Sequence, residues 1–219
     1  MPISHPRLYE HTRHMSPTEV PDCVWPSDNE MEVPMLRPDL QANAVDLPVT
    51  QWGTIRRRSD MHGTWSFYVD DYRFTALWRD PTPVINSGCL NVVEPNFSCS
   101  DQTPFPVVLN NIYRKRWLSR FWQEFGGVRV FVDLNVSPRW GELNLLGVPQ
   151  GWRSYATRGY SSRIKDMDRE YQRALAHCGD NSMLMMVYGG GKAVREFCQQ
   201  RGLIWVAEQQ TLGTRGVDL

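Results

Sequence analysis

"VRVFVDL", Val128 to Leu134, is apolar at nearly every position instead of at every second one. A strand with one wet face alternates, whereas a strand covered by helices on both sides of its sheet does not. "LMMVY", Leu184 to Tyr188, repeats the pattern. Around these runs, short β-branched or aromatic segments alternate with longer ones of helical period. The pattern predicts strands near Pro48–Trp52, Trp65–Asp70, Leu90–Pro95, Val128–Asn135, Ser154–Arg158, Met183–Tyr188 and Leu203–Ala207. It predicts helices near Asn111–Phe125, Arg163–His177 and Lys192–Arg201. Such alternation implies an α/β fold with a mostly parallel sheet flanked by helices, TIM-barrel-like or partly open.

The first fifty or so residues differ. Pro2, Pro6, Pro17, Pro21, Pro26, Pro34, Pro38 and Pro48 interrupt any period, since each removes a backbone donor and biases its predecessor to extended geometry. Acids there outnumber arginines. The expected organisation is a proline-rich acidic N-terminal arm over residues 1–44, one α/β domain over 45–210 and a C-terminal tail over 211–219. At 219 residues and 41% hydrophobic the chain can bury a sizeable core. Its net charge of zero excludes a global basic field, so any anion recognition has to be local. Cys23, Cys89, Cys99, Cys178 and Cys198 form no CxxC pair and no His-Cys zinc spacing, which predicts reduced thiols. The longest apolar run, "SMLMMVY" from Ser182, is far too short to cross a bilayer, and the first residues do not read as a signal peptide. The expectation is a cytoplasmic protein without a membrane partner.

Ligands of parallel α/β folds sit at the carboxyl ends of the strands. The second strand delivers Asp70 and Asp71 there, the third Glu94 and Asn96, the fourth Asp133 and Asn135, and the last Glu208. Asp70, Asp71, Glu94 and Asp133 are therefore the catalytic candidates. Asp70, Glu94 and Asp133 are also candidate oxygen ligands for a hard divalent ion such as Mg, which would polarise a phosphoryl oxygen or activate a water. The competing reading makes Asp70 and Asp71 helix caps.

The sixth strand runs into "VYGGGK". This is no P-loop, because Met186 and Ala193 occupy the positions that need glycine and a hydroxyl residue. Gly189, Gly190 and Gly191 nevertheless leave backbone N–H groups open before a helix, and with Lys192 and Arg158 they form a candidate phosphate site. The competing reading is a tight corner that needs positive φ. In "NIYRKRWLSRFWQEF", helical spacing puts Leu118, Phe121, Trp122 and Phe125 on a core stripe. Tyr113, Arg114, Arg116, Trp117 and Arg120 fall beside it, as a nucleic-acid-binding face of cations interleaved with aromatics or as a plain solvated one. Arg56, Arg57 and Arg58 would extend that surface.

The segments "FYVDDYRFTALWRDP" (Phe67 to Pro81), "VVEPNFS" (Val92 to Ser98), "NIYRKRWLSRFWQEFG" (Asn111 to Gly126) and "VYGGG" (Val187 to Gly191) occur in the order and approximate spacing of a known family. Over roughly Gly63 to Ala207 the chain resembles the DUF4417 family of uncharacterised bacterial and phage proteins. The family pattern has an aspartate where this chain has Asn96, which puts a catalytic role at that position in doubt. The resemblance brings no activity with it. It does imply a phage or mobile-element protein, and so directs the reading toward nucleic acid or nucleotides, handled by metal-assisted phosphoryl chemistry. The alternative is a non-catalytic adaptor that binds nucleic acid through its basic face and another protein through its acidic arm.

Overall fold

The computed structural model describes residues 25–53, 61–180 and 182–208. The strands are β1 (Val49–Gln51), β2 (Thr64–Ser66), β3 (Asn91–Val93), β4 (Arg129–Asp133), β5 (Ser154–Arg158), β6 (Leu184–Tyr188) and β7 (Ile204–Val206). The helices are α1 (Thr82–Asn86), α2 (Phe105–Gly126), α3 (Ile164–Cys178) and α4 (Lys192–Arg201), with short 3-10 turns between elements. All strands are parallel and lie in sequence order, so β1 and β7 are the sheet's edges. Among the described residues this is the strand order of a TIM-type barrel, with seven strands.

The sheet curls until it is nearly closed. Val49, Tyr68, Val93, Phe131, Ala156, Met186 and Tyr188 share one buried cluster, to which strands and their flanking loops contribute and helices do not. Tyr68, just after β2, stacks on Tyr188 of β6 with ring centroids 5.9 Å apart, which requires opposite sides of the sheet to face each other. The alternate residues point outward. Val130 and Val132 of β4 join Trp117, Leu118, Phe121 and Trp122 of α2, while Val187 of β6 joins Val194 and Phe197 of α4. Burial on both faces is why "VRVFVDL" carries no alternation.

Helix α2 starts with prolines at its first turn, where no intrahelical donor is lost. It ends at Gly127, whose φ of 60° lets its N–H reach Gln123 and Val128 N–H reach the Trp122 carbonyl. The second half of the expected arm packs on the barrel. Ala42 N–H donates to the Val130 carbonyl and Ser154 Oγ, and Asp46 accepts from Asn91 and Arg129, so this segment closes the amino end of the barrel. Upstream, Leu36 N–H donates to Gly147, Arg37 N–H to Gln123, and Trp25 packs on Trp117 and Phe125. Prolines that rule out regular structure do not rule out packing. Residues 1–24 and 209–219, the ends of the expected arm and tail, lie outside the described residues, as does the triple arginine at 56–58.

Glu170 of α3 is buried against β5, where Thr157 Oγ1 donates to it at 2.6 Å. Burial pushes its carboxyl up from 4.5 to about 8. A folded-state value above the unfolded one means that the stabilising protonated form is fully present below about pH 4.5 and is lost as pH rises through about 8. Glu170→Gln removes this titration. Its unfolding free energy should gain on the parent by about 1.4 kcal/mol per pH unit between those limits, measured by urea denaturation at stepped pH. Parallel pH profiles for the two proteins would show a carboxyl that is ionised in the fold.

Candidate functional site

The carboxyl ends of β3 and β4 hold four buried ionisable groups. Glu94 follows β3 and pairs with Arg116 of α2, both fully buried. The same carboxylate oxygen accepts Asp133 N–H at 3.1 Å, while Arg116 also donates to the Leu146 and Asn144 carbonyls. Asp133, at the end of β4, accepts from Tyr68 Oη at 3.1 Å, Asn135 N–H at 3.0 Å, Asn96 Nδ2 at 2.8 Å and Lys115 Nζ at 3.3 Å. Burial first and the Asp133 charge second raise the Tyr68 hydroxyl well above the ordinary phenol range. Sequence spacing gave Glu94 and Asp133 their positions at the strand ends, but not the two cations that α2 sends over to meet them.

These carboxylates do not fit a divalent ion. Asp133 already receives four donors, one of them a cation, and Glu94 faces a guanidinium. Asp70 is exposed at the head of the 3-10 turn Asp71–Arg73, and Asp71 accepts Ser98 N–H at 3.1 Å and Ser98 Oγ at 2.9 Å. Neither aspartate caps that turn through its side chain; Asp71 instead ties the loop after β2 to the loop after β3. Among the described residues no three His, Cys, Asp or Glu side chains form a group that could hold a metal.

The surface expected on α2 is largely interior. Arg116 and Trp117 are fully buried, and Lys115 is 1% exposed. Arg114 lies over Phe97 at 4.4 Å and Trp78 at 5.2 Å, and burial lowers its pKa. Tyr113 packs edge-on against Trp78. Arg120 donates to the Met35 carbonyl at 2.8 Å beneath Trp25. Helical spacing does not separate the two faces: Trp117 stacks on Phe121 of the expected core stripe, Arg116 reaches Glu94 and the loop after β4, and residues 25–37 meet Trp117 and Arg120.

Part of the expected phosphate site converges, while Gly189 does not line the cleft. Arg158, Gly190, Gly191 and Lys192 line one cleft of about 610 Å³ at the carboxyl ends of β5 to β7. Tyr160, Arg195, Trp205 and Glu208 line it too; of these only Glu208 stood out in the sequence. The corner and the cleft turn out to be separate jobs of one tripeptide. Gly189 and Gly190 both have φ of 78°, and a Cβ on Gly190 would sit 2.5 Å from Val194 Cγ2, so both glycines are required by the turn itself. Gly189 is held by its N–H to the Val206 carbonyl and by Trp205 Nε1 on its own carbonyl. Gly191 has ordinary φ, donates to Ser161 Oγ and precedes the first turn of α4. Arg158 Nη1 reaches the Tyr68 carbonyl at 3.2 Å and Nη2 lies 3.6 Å from Glu208, but its buried Nε has no partner. Lys192 and Arg195 are exposed at the rim, Lys192 near Glu196 and Arg195 over the Trp205 ring.

Over residues 25–187 the chain matches the model of DUF4417, a domain of unknown function. The chain belongs to this family. The match starts 38 residues before Gly63, at Trp25, where the described structure also begins. Among curated proteins it is similar to the Gene 1 protein of Mycobacterium phage D29, 26% identical across 88% of this chain and 71% of the phage protein. The Gene 1 protein of Mycobacterium phage L5 is 26% identical across 76% and 74%. No solved structure matches. Among the described residues no helix is long and apolar enough to cross a membrane.

If the Glu94–Arg116 pair holds α2 to the sheet, removing one partner leaves a buried charge. Arg116→Met should destabilise by about 3–5 kcal/mol, and adding Glu94→Leu should recover part of the loss. Denaturant melts of the two single variants and the double variant measure the coupling; simple additivity would mean that the groups act independently.

Proposed function

We propose that this DUF4417 member binds a phosphate-bearing ligand, a nucleotide or a nucleic-acid strand, in the cleft at the carboxyl ends of β5 to β7. The observation that carries the reading is the convergence of Arg158, Lys192 and Arg195 on one cleft that also offers the rings of Tyr160 and Trp205. The three cations are met by two carboxylates, Glu208 near Arg158 and Glu196 near Lys192, which leaves one positive charge in excess to favour an anion, and the first turn of α4 adds its dipole. Phosphate sites of TIM-type barrels cluster beside the last strands and a following helix, as this one does. Aromatic faces beside cations suit bases as well as phosphates. The phage origin of both relatives favours nucleic acid over a small metabolite.

The reading is binding, with no phosphoryl transfer assigned. Of the carboxylates named as candidates to activate a metal or a water, Glu94 and Asp133 are paired with Arg116 and Lys115, and Asp70 and Asp71 lie on a separate loop.

Lys192→Ala/Arg195→Ala tests it cleanly, because both side chains are exposed and their loss leaves the fold intact. Gly190→Ala would confound the result by breaking the corner. Each charge-assisted hydrogen bond is worth about 1.5–3 kcal/mol, so titration calorimetry with nucleoside phosphates and short oligonucleotides should show affinity falling by about tenfold or more. The slope of log affinity against log salt should become shallower by about one for each phosphate no longer paired with a cation. Unchanged affinity and slope in the double variant would remove this cleft from the function.

A further inference from the structure

We infer that the phosphate cleft is one half of a longer groove that takes a single-stranded oligonucleotide, with consecutive nucleotides on either side of Tyr160. This rests on the binding reading above and deepens it. A second cleft, of about 760 Å³, opens over the ends of β3 and β4 and the start of α3. Tyr160 lines both clefts. Its ring has Arg158 5.3 Å away and Arg163 5.4 Å away; Arg158 lines the first cleft and Arg163 the second. The boundary between the clefts is thus a tyrosine ring with two guanidinium groups over it, cations that pair with phosphates and planes on which a base can stack.

The two halves differ in a way that suits one strand. The first is rich in cations. The second is lined by Ser98, Ser100, Thr103, Asn96 and Asn135; Ser98 Oγ already donates to Asp71, the Ser100 and Thr103 hydroxyls bond each other and Asn135 Nδ2 donates to Asn96 Oδ1, so what this half offers to base edges and sugars is chiefly acceptor lone pairs. The Asn96 amide is fixed in orientation, since its Nδ2 donates to Asp133 Oδ2 at 2.8 Å and to the Asn135 carbonyl at 2.7 Å. Arg163 and Arg169 share a single carboxylate, Asp166, at 3.2 and 3.3 Å, which leaves positive charge on that wall. Asp101, the other carboxylate of the second cleft, accepts from Ser137 Oγ. Each cleft is of small-ligand size, so a mononucleotide occupies one of them and only a longer strand occupies both.

Fluorescence anisotropy with labelled oligonucleotides, competed by unlabelled mono-, di-, tetra- and hexanucleotides of both deoxyribose and ribose type, tests the groove. Affinity should rise by about tenfold or more from the mononucleotide to the tetranucleotide and then level off. In Arg163→Ala/Arg169→Ala, and more mildly in the largely exposed Arg169→Ala alone, the ratio of tetranucleotide to mononucleotide affinity should fall toward one. Thermal melts confirm that both variants fold. A wild-type protein that binds mononucleotide and tetranucleotide equally, or a ratio that survives the double variant, overturns the extended groove and leaves the phosphate cleft standing. Failure of the wild type to bind any of these ligands overturns both.

Discussion

Two buried ion pairs decide how this barrel is assembled. Glu94–Arg116 and Lys115–Asp133 join the carboxyl ends of β3 and β4 to the middle of α2, and three of these four groups have no solvent exposure at all. Taking such charges out of water costs several kcal/mol per ion, and the attraction between partners offsets that only where further hydrogen bonds complete the geometry. Here they do. Arg116 uses its remaining donors on the Leu146 and Asn144 carbonyls, and Lys115 and Asn144 both donate to the Asp133 carbonyl, so the loop after β4 is drawn under the helix. The cluster therefore sets where α2 lies, where the 134–146 segment turns, and which way Asp133 and Glu94 face.

That commitment divides the charges of the barrel mouth. In a TIM-type fold any strand end can carry function, but charges locked to internal partners are not available to a ligand. At the ends of β3 and β4 the buried ions are locked in this way, and neutral hydroxyls and amides are among the groups that line the cleft above them. The ends of β5 to β7 carry two positive-φ glycines, a helix start and three cations. The same division explains why Asn96 stands beside Asp133: a neutral amide donates to the buried carboxylate, where a second carboxylate would repel it.

The strands and the two C-terminal helices were legible because burial on both faces leaves an unmistakable apolar run, and because amphipathic helices ending at Gly179 and Gly202 carry their own period and stop signals. Ser154–Arg158 and Lys192–Arg201 have the predicted bounds. What the sequence could not convey was coverage. Arg116 and Trp117 sit where helical spacing puts a second face, and only the fold shows that they are indoors, Arg116 against Glu94 and the loop after β4, Trp117 against Trp25, Trp78 and Phe121. The glycine tripeptide was ambiguous for a related reason: positive φ and ligand access leave the same signature, and only φ and the nearness of Val194 separate Gly190 from Gly191. Tyr160, Arg195 and Trp205 carry no motif at all and become visible only when three strand ends are brought to one rim.

The interior and the cleft are also one continuous structure. Asp133 holds the Tyr68 hydroxyl, the Tyr68 ring stacks on Tyr188, and the Tyr68 carbonyl accepts Arg158 Nη1 on the far side of the barrel. A guanidinium at a strand end is ordinarily a flexible group that loses side-chain entropy when it binds. Arg158 has lost much of that freedom in advance, through Tyr68, Glu208 and the Tyr160 ring, while keeping an unpartnered Nε. Preorganisation of this kind lowers the cost of recognition. The buried ion pairs at the ends of β3 and β4 are, through Tyr68, part of what holds Arg158 in place.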